Sequence, residues 1–188
     1  MAATATFGRD FGNTNSSGFG LNGEPVKVVL PSVAERSGCS KMTKPSASEF
    51  VFLLDRGGCM FSDKLLHAAQ AGAAGVVLFE KTDPLNPEIA ALPEGTLIRP
   101  SAEDCSADVL TTVKDIGMIF TSSQVGEIVK KTIEVEGQDV EIEIKPLENG
   151  MKDTLGADKT KEKAGKGREG RMALGEWEIW NLRIVEAI

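Results

Sequence analysis

The spacing of apolar and polar positions changes several times along the chain, and each change predicts an element. Phe50-Val-Phe-Leu-Leu54 is an unbroken apolar run, too short for a helix and rich in strand formers, so it predicts a strand covered on both faces. From Phe61 the spacing turns helical. Phe61, Leu65, Ala68, Ala69 and Gly72 form one stripe with Lys64 and Gln70 outside it, Ser62 is placed to cap the helix, and Asp63 lies in its first turn. The helix is expected to end between Gly72 and Gly75. Val76-Val-Leu-Phe79 then predicts a second buried strand, and a strand, helix and strand within about 30 residues make a right-handed parallel crossover. A second round follows: strand Gly117 to Phe120, cap Thr121 to Ser123, a stripe of Val125, Ile128, Val129 and Ile133, and a stop at Gly137.

The flanks are read the same way. Thr4 to Phe7 predicts a short strand, Gly8 to Gly23 a loop, and Val26 to Leu30 a strand stopped by Pro31. Val140-Glu-Ile-Glu-Ile-Lys145 alternates strictly and predicts a strand with one wet face, while Trp177 to Val185 alternates less regularly. Between Glu80 and Ile116, Pro84, Pro87, Pro93 and Pro100 break every period, which reads as loop with one short strand at Thr96 to Arg99. Glu148 to Met172 is rich in lysine, arginine and glycine with almost no large apolar side chain, and predicts a disordered excursion. The expected organisation is one domain over 1–147 plus 175–188, with 148–174 as a flexible loop or linker.

Composition narrows the function. With 188 residues and 41% hydrophobic content the chain can bury a core of its own. A net charge of −7 sets the overall field against nucleic acid. No run approaches the roughly 20 apolar residues of a bilayer span, so no membrane insertion is expected, and Met1 to Gly8 has neither the charged nor the apolar segment of a signal peptide. Cys39, Cys59 and Cys105 are too few for a four-ligand zinc site. Asn15-Ser16-Ser17 is a glycosylation sequon in a polar, glycine-rich stretch.

No catalytic or cofactor constellation emerges. Gly18-Phe-Gly20-Leu-Asn-Gly23 and Gly165-Lys-Gly167-Arg-Glu-Gly170 match the dinucleotide pattern in letters, but neither joins a strand to a helix N-terminus, where backbone amides would meet a pyrophosphate. His67 has no second histidine for a metal, and on the same helix it lies about two turns from Cys59, too far to activate that thiol. Cys59, at a turn into a helix, reads as a structural thiol or half of a disulfide, with a nucleophile for hydrolysis as the competing reading. Asp55 and Asp63 flank the same turn, one beside Arg56 and one in a helix first turn, which accounts for both without acid–base chemistry.

The run Phe50-Val-Phe-Leu-Leu-Asp-Arg-Gly-Gly-Cys-Met-Phe61, then Lys64, then Ala68-Ala-Gln-Ala-Gly-Ala-Ala-Gly-Val-Val-Leu-Phe79 resembles the signature of protease-associated (PA) domains. The residues that carry the likeness are Arg56, Gly57, Cys59, Phe61, Lys64, Ala71 and Gly72. Thr6-Phe-Gly8, Gly38-Cys39 and Met118 to Ser123 are similar to further landmarks of the family, so the resemblance covers roughly residues 3–146. It implies a mixed α/β fold of the swivelling β/β/α sandwich type, with a strand–helix–strand crossover and a second helix. It also implies a module without catalytic residues or cofactor, attached to a larger protein of the secretory pathway. Its partner would be a protein or a misfolded glycoprotein client, met through the loops at Gly8 to Gly23 and Glu80 to Ile116; a structural spacer is the bland alternative. The wording around Cys59, with Gly38-Cys39-Ser40, is most similar to PA domains of ER degradation-enhancing mannosidase-like proteins, which implies the ER lumen. A vacuolar or secreted peptidase, or a sorting receptor, is the alternative parent. A disulfide between Cys39 and Cys59 is expected on this reading, with Cys59 to Cys105 as the other pairing.

Overall fold

The computed structural model describes residues 2–4, 25–81, 106–146 and 179–186. Four strands run parallel: β2 Val26–Val29, β3 Phe50–Asp55, β4 Gly75–Phe79 and β5 Gly117–Thr121. β1 (Ala2–Thr4) lies antiparallel to β5, and β6 (Val140–Pro146) antiparallel to β2. β7 (Ile179–Glu186) pairs antiparallel with both β6 and β1, so the order β1-β5-β4-β3-β2-β6-β7 closes into a barrel. The mixed α/β class expected from the pattern is what the chain adopts, with the sheet curled shut. The helices are α1 Phe61–Gln70, α2 Ala107–Val113 and α3 Ser123–Glu134.

The unbroken apolar strands are covered on both faces, as their composition predicts. In β3, Val51 and Leu53 join Val77, Phe79 and Val129 on the side of α3, whereas Phe50, Phe52 and Leu54 join Leu65 and Leu78 on the side of α1 and α2. Every residue from Phe50 to Leu54 is at most 1% exposed. Side chains of this size contribute about 1.5–3 kcal/mol each when fully buried, so this short strand is a main source of stability.

The helices depart from the expected pattern in four instructive places. α1 begins at Phe61 with Met60 at its cap and no side-chain cap bond, and Ser62, expected as the cap, is buried inside the first turn. Lys64, expected outside the apolar stripe, is 0% exposed. α2 occupies the end of a stretch read as loop; Ser106 caps it by accepting from the Val109 amide at 3.4 Å, and Val113 is buried against α1's side of the sheet. The prolines upstream hide the Val109, Leu110, Val113 spacing that signals this helix. On α3 Ser122 is the cap, accepting from the Val125 amide, but Ile128 is 57% exposed. At about 100° per residue the true stripe of Val125, Gly126, Val129 and Ile133 leaves Ile128 roughly 115° from its centre.

Gly126 is on that stripe because α3 crosses β4 there. A Cβ at Gly126 would stand 2.1–2.5 Å from Phe79 atoms, closer than any real contact, so the ring replaces the side chain. In β6, alternation places Val140 and Ile142 in the core, yet Glu143 is also buried at 5% exposure, so the expected wet face does not extend to it. The glycine-rich 8–23 segment with Asn15, the Thr96 to Arg99 stretch, Cys105, both dinucleotide-like glycine patterns and the 148–172 tract lie outside the described residues.

Candidate functional site

The loops that follow β2, β3, β4 and β5 leave the sheet at the carboxyl ends of its parallel strands, where open α/β sheets place ligands. Two of them are sewn together by backbone bonds. The Asp55 amide donates to the Arg36 carbonyl at 3.0 Å, and the Arg56 amide donates to the Phe79 carbonyl at 2.9 Å. The first of these loops folds on Glu35, whose carboxylate accepts from the Thr43 hydroxyl at 2.7 Å and amide at 3.0 Å and from the Ser32 hydroxyl at 2.9 Å. Those bonds, Thr43's first, hold the Glu35 carboxyl below its ordinary titration range.

A disulfide joins Cys39 to Cys59 and ties the loop after β2 to the turn after β3, with a Cα–Cα separation of 5.6 Å. The reading of Cys59 as a catalytic nucleophile is overturned, because its sulfur is bonded to Cys39. Gly57 and Gly58 both have positive φ, and a Cβ at Gly58 would lie 3.1 Å from the Cys39 sulfur. Two consecutive left-handed residues therefore let the turn close over the bridge.

Lys64 sits beneath that bridge. Its Nζ donates to the carbonyls of Ser37, of Asp55 at 3.1 Å and of Gly57 at 2.7 Å, and lies 3.6 Å from Cys39 Sγ. One ammonium thus holds both loops from the helix below. Burial pushes its pKa down to about 8, against the opposing pull of Asp55 and then Asp63. Its neighbour on the helix, His67, meets the Gly38 carbonyl through Nδ1 at 2.9 Å. His67 is therefore a positioning contact for the same loop, and Cys59 and His67 are not brought together as a catalytic pair.

The charged residues around this core are paired across elements. Arg56 meets the buried Glu80 at 2.5 Å, linking the ends of β3 and β4. The register Asp55↔Phe79 makes Arg56 and Glu80 next neighbours, a signal legible once the two apolar runs are aligned in parallel. Arg36 pairs with Glu134 at the end of α3, and its buried Nε has no hydrogen-bond partner among the described residues. Asp55 is half-buried, and desolvation raises its pKa despite the positive charges of Lys81, Lys130 and Arg36.

Of the residues singled out in sequence, the structure gathers Arg56, Gly57, Cys59 and Lys64 at one end of the sheet. Phe61 opens α1 and packs on its core, and Ala71 and Gly72 form the turn at the helix's far end, where Gly72 takes φ +83. Glu80, Arg36 and Ser37 belong to the site as well but were not singled out. Ser37 contributes through its carbonyl, which no side-chain pattern reveals. Beneath α3 the space against the sheet, lined by Val28, Leu53, Val77 and Val129, amounts to about 10 Å³, too small for a substrate, and the groove of about 490 Å³ beside β2, between Pro25–Val29 and Pro45–Glu49, is lined by none of Arg56, Cys59 and Lys64. Among the described residues no three metal-ligating side chains gather.

The comparisons with known proteins agree with this geometry. A family model for the PA domain matches residues 22–114, a span that includes the Cys39–Cys59 bridge, Lys64 and the Arg56–Glu80 pair. Over 78 residues the chain is 38% identical to vacuolar-sorting receptor 7 of Arabidopsis thaliana; the match takes in 39% of this chain and 12% of that receptor's length. The expectation of a mannosidase-like relative gains no support from this match. The chain therefore carries a protease-associated domain, over residues 22–114.

Proposed function

We propose that this domain is a non-catalytic protein-binding module of a larger protein in the secretory and vacuolar route, in a sorting receptor or a peptidase rather than a mannosidase. The observation that carries the reading is the construction of the signature segment. Its conspicuous residues, Arg56, Cys59 and Lys64, are engaged in holding loops in place, and among the described residues none of them lines the larger groove beside β2. Such a scaffold holds the loops after β2 and β3 in place, which suits a recognition platform, since ordering entropy of those loops is then spent before binding. The disulfide supports an oxidising compartment, and the partial likeness to a vacuolar-sorting receptor supports the vacuolar branch over the ER lumen. The binding surface is assigned to the Gly8 to Gly23 and Glu80 to Ile116 segments, and the folding unit to 1–147 plus 175–188.

The test is capture of soluble lumenal proteins on the immobilised chain, followed by titration of the captured protein against alanine variants of those two segments. Binding lost in the loop variants, with the thermal unfolding profile kept, supports the assignment. Unchanged affinity in every loop variant removes the placement, and hydrolytic turnover of a captured protein removes the non-catalytic reading.

A further inference from the structure

The signature segment holds an unusual pair: a disulfide with a buried cation against one of its two sulfurs. Lys64 Nζ is 3.6 Å from Cys39 Sγ, and its direct hydrogen-bond partners are main-chain carbonyls, which carry no net charge. The carboxylates of Asp55, the last residue of β3, and of Asp63 on α1 act on it only at longer range. Arg36 in the first loop and Arg56 in the turn are committed to Glu134 and Glu80, and His67 contacts the Gly38 carbonyl. Cys39 Sγ also lies 3.5 Å from the Ser37 carbonyl and 3.7 Å from the Gly57 carbonyl, both of which the Lys64 ammonium binds, so among the described residues a negative charge that appeared on Cys39 would meet a positive charge with no carboxylate in contact, in a site where burial strengthens the attraction.

We propose that Cys39–Cys59 is a thiol–disulfide exchange site polarised by Lys64, at which Cys59 is the sulfur attacked and Cys39 the one that leaves. The reductant is a small thiol. Its thiolate attacks Cys59 Sγ and forms a new S–S bond; the Cys39–Cys59 bond breaks and its electron pair goes to Cys39 Sγ beside the ammonium. A second thiolate then attacks the small-thiol sulfur of the adduct, leaving as the oxidised small disulfide, and the Cys59 thiolate takes a proton from water. Two thiols are oxidised and one protein disulfide is reduced. A leaving thiol of lowered pKa departs faster, which fixes the direction of attack. Both cysteines are half-buried rather than sealed. After reduction, Lys64's bonds to Ser37, Asp55 and Gly57 still hold the two loops in register, so the bridge can re-form.

The experiment treats the chain with glutathione, quenches with acid and locates the mixed disulfide by peptide mapping. In parallel, the fully reduced chain is alkylated with iodoacetamide from pH 5 to 9, and Cys39, Cys59 and Cys105 are quantified separately. The expected result is glutathione on Cys59 in at least about tenfold excess over Cys39, with Cys39 titrating below the roughly 8.5 of a free thiol. In Lys64→Met the preference is lost and reduction slows about tenfold. Glutathione on Cys39, or a Cys39 titration at or above the free-thiol value, overturns the proposal. If Lys64→Met does not fold, the wild-type mapping alone decides.

Discussion

At the scale of single residues, Lys64 carries the sharpest consequence. Its pKa falls from the ordinary 10.5 to about 8 in the folded chain, so between those values the unfolded chain binds the proton that the folded chain has released. Unfolding free energy from this group therefore rises as pH increases from about 8 to about 10.5, by on the order of 3 kcal/mol across the window, and is flat below it. An NMR titration of lysine Cε should show one lysine changing near pH 8 while exposed lysines wait until above about 10; a Lys64 that titrates with the rest contradicts the buried, carbonyl-bound cation. Gly126 gives a second test, with the usual sign reversed. Alanine in a helix is ordinarily better than glycine by about 1 kcal/mol, but here its Cβ would overlap Phe79. Gly126→Ala is expected to destabilise by about 1–3 kcal/mol in urea unfolding.

Among elements, the joint between β3 and β4 depends on Arg56 and Glu80, whose burial differs: the guanidinium side chain is 34% exposed and the carboxylate side chain 5%. Removing Arg56 strands a buried carboxylate, whereas removing Glu80 leaves a cation that water can reach. Arg56→Ala is therefore expected to cost about 1.5–3 kcal/mol and Glu80→Gln distinctly less, read from chemical unfolding of the two variants. Equal losses would mean that the pair's packing matters more than its charge. Element existence was largely legible: β3, β4 and β5 declare themselves as apolar runs bounded by turn residues, and β6 by alternation. What escaped was side-chain direction. Lys64 is a polar letter in a helical pattern, and only the two loops above α1 reveal that its ammonium points inward to their carbonyls. Spacing alone puts Ile128 on the buried stripe, and Gly126 takes its place because a glycine's role depends on what crosses it.

For the whole molecule, closure of the barrel rests on a strand far along the chain. β7 pairs with β6 from Val140↔Glu186 to Pro146↔Trp180 and with β1 at Ala2↔Trp180 and Ala3↔Ile179. A chain ended at residue 147 would expose the unpaired edges of β6 and β1, and open edges seek new strands. Such a truncation is expected to unfold at lower temperature and to self-associate, seen by calorimetry and light scattering; a truncated chain as stable and monomeric as the whole would place 179–186 outside the folding unit. The sequence by itself determined the local elements, the mixed α/β class and the signature segment, because strand and helix periods and turn glycines are encoded within a few residues. Only the tertiary structure decided the closing of the sheet, the choice of Cys39 for Cys59 and the burial of Lys64 beneath their bridge. Each of these joins residues about 20 or more positions apart or orients a side chain toward a neighbouring loop, and no local pattern records either.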